Sequence, residues 1–133
     1  MPYVKIDHKV DPKEKLLAEI GDLSEITVFN NNILVAVYQR PTTVTLGGKE
    51  FHLADKTVEE DRYQSKVGLV LKMGPTAFKD PEGQWFQGVE VKEHDWIVIP
   101  PSAATSMIVK GVLCRLMADT QVKMHVTDPD TVY

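Results

Sequence analysis

Four histidines and one cysteine are the side chains best suited to hold a metal or attack an electrophile, so their spacing is the first thing to test. His8, His52, His94 and His125 are scattered through the 133 residues, and none stands at a short ligand spacing from a second His or Cys. Metal coordination needs such converging pairs, so no metal site is expected. Cys114 lies within Val112-Leu113-Cys114-Arg115-Leu116, an apolar run that reads as a strand. A thiol in that setting behaves as a small buried hydrophobe rather than a reactive thiolate. As the single cysteine it has no partner for an internal disulfide, which suits a reducing compartment. His94 and Asp95 are adjacent, but neighbouring residues of a strand point to opposite faces, so a turn with a salt bridge is expected there rather than an oriented general base.

Anion chemistry finds no better support. Gly47-Gly48 lacks the Lys-Ser/Thr that completes a phosphate-binding loop, and no helical pattern follows to aim an N-terminus at an anion. Glu59-Glu60-Asp61 is the densest acidic run and reads as a solvated stretch of loop. The net charge of −4, without a Lys/Arg cluster, argues against a nucleic-acid backbone as partner. No apolar run approaches the roughly 18 residues that span a bilayer, and Met1-Pro2-Tyr3-Val4-Lys5 does not read as a signal peptide. The expectation is an intracellular protein that is not an enzyme and carries no cofactor.

The elements that must position these residues read as mostly β. Near the start, Asp11, Pro12 and Glu14 form an N-cap, a first helical position and a capping box, and Gly21 ends the helix. Leu16, Leu17 and Ile20 give it an apolar stripe to lay on a larger body. From Glu25 the pattern turns to β: Ile26, Val28 and Phe29 lead through Asn30-Asn31-Asn32 into Ile33-Leu34-Val35-Ala36-Val37-Tyr38, a plausible hairpin. A polar excursion from Pro41 to Lys66 follows, and a loop of that length is usually functional or disordered.

Gly68 to Gly74 encloses the next apolar strand. Asp80-Pro81-Glu82-Gly83 is a turn, with Phe78, Trp85 and Phe86 expected to form a small apolar cluster around it. Val89-Glu90-Val91 alternates like an exposed strand, and Asp95 to Ile99 reads as a buried one stopped by Pro100-Pro101. Met107-Ile108-Val109, Lys110-Gly111 and Val112 to Met117 read as a hairpin, and Val122 to Val126 alternates again. Many short strands of this kind make a barrel or a sandwich.

Several of these segments together resemble the chaperonin-10, or GroES-like, co-chaperonin family. Gly68-Leu69-Val70-Leu71-Lys72-Met73-Gly74 is similar to the family's G-x-V-x-x-V-G strand, and Val91-Lys92-Glu93-His94-Asp95-Trp96-Ile97-Val98-Ile99 to its V-K-x-G-D-x-V-x-F run. Ile33 to Val37 stands where the family's first core strand stands, Gly47-Gly48 falls in its mobile loop, and Val112 to Val126 resembles its closing strands. Lys49 and Glu50 occupy positions where the family has apolar residues, and His94 replaces a turn glycine.

The resemblance implies a GroES-like, partly open small β-barrel with a short N-terminal helix. It divides the chain into an N-terminal arm (1–32), a barrel (33–126, with the long loop 41–66) and a tail (127–133). It also implies a homo-oligomeric ring that caps a chaperonin chamber, with Gly47, Gly48, Phe51, His52 and Leu53 as the partner-binding stretch that docks on chaperonin apical domains. The arm, the Phe78 to Phe86 insertion and the tail look more like the members encoded by tailed phages. That implies the cytoplasm of a bacterial host. The alternative from the same likeness is a virion head decoration or cement protein, bound to capsid subunits.

Overall fold

The computed structural model describes residues 10–39, 43–46, 49–52 and 65–132. Its centre is β1 (Asn32–Val37), which is antiparallel to both of its neighbours, β4 (Val67–Met73) and β7 (Val112–Ala118). A strand paired along both edges and covered on both faces must be apolar throughout, which is why Ile33 to Val37 shows no polar alternation. The pleat divides these side chains by parity. Leu34 and Ala36 join Leu69, Leu71, Trp96 and Cys114 in one cluster, while Ile33 and Val35 join Val70, Ile97 and Met117 in another. One bulge interrupts the β1–β4 ladder: Leu34 is opposite Lys72 and Val35 opposite Val70, so Leu71 is the extra residue.

The full sheet has six antiparallel strands in the order β6-β7-β1-β4-β5-β8, with β5 at Trp96–Val98, β6 at Thr105–Val109 and β8 at Met124–Val126. Among the described residues it is an open sheet with β6 and β8 as its edges, and no closed barrel is present. The expectation of a mostly β protein with one short N-terminal helix holds. That helix, α1 (Pro12–Ile20), is capped by the Asp11 carboxylate, which accepts from the Lys13 N–H, and ends at Gly21, whose N–H bonds the Leu17 carbonyl at 3.1 Å. Leu16 and Ile20 are buried in the cluster that holds Leu34 and Trp96, so α1 packs on its own chain's sheet.

Three sequence expectations are corrected. The segment from Glu25 to Asn31 is not a strand. It holds Ile26 and Val28 against the core without a ladder, because both edges of β1 are already taken by β4 and β7. Asn30, at φ 57°, and a bond from the Asn32 N–H to the Phe29 carbonyl make the turn there. Val89-Glu90-Val91 is also not a strand: Val91 is buried and Val89 exposed, but no strand lies alongside them. The excursion after β1, expected as loop, carries a two-stranded ribbon of its own, β2 (Thr43–Leu46) and β3 (Lys49–His52). The β6–β7 hairpin matches its reading. Val109 faces Val112 across Lys110 and Gly111, both at positive φ (47° and 83°), as a two-residue hairpin turn with right-handed strand twist requires.

Candidate functional site

Of the stretch expected to bind a partner, Gly47, Gly48 and Leu53 lie outside the described residues, as do His8 and Glu59-Glu60-Asp61. Phe51 and His52 belong to β3, where Phe51 faces Val44 and His52 faces Thr43 on β2. Leu46 faces Lys49, which leaves Gly47 and Gly48 as the two residues joining the strands. The signal for this ribbon was present in Thr43-Val44-Thr45-Leu46, which alternates β-branched and apolar residues directly before a Gly-Gly pair. It is inserted between β1 and β4, adjacent strands at the middle of the sheet.

A second surface is built from the turn at Asp80. The Asp80 carboxylate accepts three backbone N–H bonds, from Gln84 at 3.0 Å and from Trp85 and Phe86 at 2.9 Å each. These bonds hold its carboxyl below the usual carboxylate range, the Phe86 N–H contributing most. Phe78 and Phe86 meet edge to face at 5.2 Å, so two of the three expected aromatics do form a cluster, while Trp85 points to solvent. The base of the turn is tied down by Asp119. This buried carboxylate accepts from the Phe78 N–H and from Asn31 Nδ2, both at 2.8 Å, so it ties the segment at Phe78 to the turn at Asn31. Nothing in the sequence around Asp119 marks it for this role, since its partners are distant in the chain.

Beside the turn runs a groove of about 270 Å³, lined by Phe86, Val91 and Val122 and rimmed by Trp85, Val89 and Met124. The rim residues are 67%, 50% and 48% exposed. Gln87, Lys123 and His125 form the polar part of the lining. His125 Nε2 lies 3.1 Å from Asp95 Oδ2, and the same oxygen accepts the Lys92 N–H at 2.9 Å. Asp95 therefore does bond a histidine, but that partner is His125 on β8 rather than the adjacent His94, and the contact is a salt bridge only when His125 is protonated. His94 turns its backbone instead, at φ 73°, and donates its N–H to the Val70 carbonyl at 2.6 Å.

Buried polar chemistry is structural. Cys114 is fully buried, and burial pushes its thiol up to about 11, in keeping with its reading as a hydrophobe. Arg115, although charged, is only 1% exposed and donates from Nη1 to the Ser65 carbonyl at 2.5 Å; burial lowers its pKa. The Tyr38 hydroxyl donates to Asp130, and its ring meets Trp96 edge to face at 5.4 Å, which fastens the C-terminal segment to the core. Among the described residues, no three His, Cys, Asp or Glu side chains gather where they could hold a metal ion. No helix among them is long and apolar enough to cross a membrane.

These features define a small antiparallel β-sheet protein. No protein-family model matches the chain, and none of the curated proteins does.

Proposed function

We propose that this chain is a non-enzymatic, homo-oligomeric protein of the GroES-like type, akin to the co-chaperonins of tailed phages, and that it caps a chaperonin chamber. The observation that carries the reading is the ribbon β2–β3, inserted between two central strands and bearing Phe51 and His52. A short apolar stretch on such an insertion binds weakly by itself. Repeated around a ring it gains avidity while each contact remains reversible.

The framework supports the same reading. Both glycines that bracket the family-like strand are sterically required: a Cβ on Gly68 would lie 2.1 Å from Val35 Cγ1, and one on Gly74 would lie 2.1 Å from the Asn30 carbonyl oxygen. His94, where the family has a turn glycine, keeps the left-handed backbone that glycine favours. On this reading the open sheet is the partly open barrel of that family.

The test is retention of the protein by bacterial chaperonin. Replacing Phe51 and Leu53 together with Ser is expected to lower retention by about tenfold or more, as loss of two apolar anchors should, with an unchanged melting temperature. Undiminished retention would remove the ribbon from the interface. Stoichiometric recovery on purified virions, with no chaperonin retained, would replace the reading with the decoration role.

A further inference from the structure

Six large apolar side chains of the described residues are conspicuously exposed, and three of them, Trp85, Val89 and Met124, rim one groove. Single exposed apolar residues are ordinary, whereas a group around a concavity marks a place where something docks. The groove is also held ready. Asp80 fixes the backbone beneath Trp85 with three N–H bonds, and Asp119 fixes Phe78, against which Phe86 packs. An aromatic anchor restrained before binding loses little entropy when it engages.

The charge around it indicates the kind of occupant. No carboxylate lines the groove; Lys123 and His125 do. His125 is already paired with Asp95, and Lys123 makes no ion pair with any described residue. The groove is thus an apolar cleft with one cation that no described residue neutralises, which suits a segment carrying a carboxylate. The groove also runs along β8, an edge strand whose outer side is unpaired among the described residues.

We infer that the groove beside Trp85 binds an extended acidic peptide segment of another protein, which places a bulky apolar side chain between Trp85 and Met124 and a carboxylate at Lys123. The surface is separate from the ribbon, and the inference does not depend on the ribbon's role.

Three end-blocked synthetic peptides, Glu-Leu-Glu-Phe-Glu, Lys-Leu-Lys-Phe-Lys and Glu-Ser-Glu-Ser-Glu, test it on the full chain, with peptide anisotropy and Trp85 emission as readouts. The first should bind at least about tenfold more tightly than the other two, and less tightly as salt is raised. Trp85→Ser and Lys123→Glu, both at the surface, should each weaken it by about fivefold or more with the far-ultraviolet circular dichroism unchanged. Ile108→Ser on the opposite edge, and the Phe51/Leu53 double variant, should leave it intact. Equal binding of the basic peptide, no binding of any peptide, or indifference to Trp85→Ser would overturn the inference. So would a concentration-dependent self-association that Trp85→Ser abolishes, since the groove would then belong to a second copy.

Discussion

His94 is held at φ 73° in the turn between Lys92 and Asp95, a backbone region that costs an L-residue about 1–2 kcal/mol and glycine far less. Its side chain is exposed and makes no hydrogen bond with the described residues. Glycine carries its own entropic penalty of about 0.5–1 kcal/mol. His94→Gly is therefore expected to stabilise the protein by about 0.5–1 kcal/mol, seen as a higher urea midpoint at constant slope. A midpoint that stays put or falls would contradict the steric account.

The reverse situation holds at Gly68, where a methyl group would meet Val35 Cγ1 of the central strand, itself fully buried. Gly68→Ala should cost about 1–3 kcal/mol as overpacking. The cost should shrink in a Val35→Ala background, because the clashing methyl is gone. Additive losses in that double-mutant cycle would show that the conflict lies elsewhere.

Among the elements, the turn at Asp80 owes its shape to a carboxylate, and so to pH. Hydrogen bonds from Phe86, Trp85 and Gln84 hold the Asp80 carboxyl below its ordinary value of 3.8. A depressed folded-state pKa means that the contribution is complete above the unfolded value and is lost as the pH falls through the folded one. Trp85 emission should therefore change in acid with a midpoint below 3.8, and Asp80→Ala should remove that transition. Trp96 is buried in the core and serves as an internal reference. An Asp80→Ala protein with the same acid transition would mean that another carboxylate governs the turn. The helix illustrates a different balance. Asp11, Pro12 and Gly21 set its ends locally, while Leu16 and Ile20 gain their burial only from the sheet beneath.

Across the whole molecule, stability should follow position in the sheet. β7, β1, β4 and β5 each have a neighbouring strand on both edges, with β1 and β4 at the middle, whereas β6 and β8 terminate the sheet. Amides of β1 should exchange with solvent slowest, through global opening, and those of β8, only three residues long, faster by about tenfold or more. Uniform protection from β6 to β8 would argue against an open sheet.

The sequence by itself determined what depends on neighbours along the chain. The capped helix from Pro12, the Lys110-Gly111 hairpin, the Asp80 turn and the apolar runs of β1 and β4 all follow from local hydrogen bonding, allowed φ or the period of side-chain burial. Thr43 to Leu46 carried a ribbon signal of the same local kind, outweighed by the polarity of the surrounding excursion. Only the tertiary structure decided what depends on distant partners. Val89 to Val91 alternates like a strand, yet no strand pairs with it; Asp95 bonds His125 rather than its neighbour; the buried Asp119 and Arg115 find partners far along the chain, the Phe78 N–H and the Asn31 side chain for one and the Ser65 carbonyl for the other. The groove belongs to the same class, since its walls come from the aromatic turn and from β8. Strand pairing and burial are properties of surfaces brought together by the whole fold, and no window of sequence contains both sides.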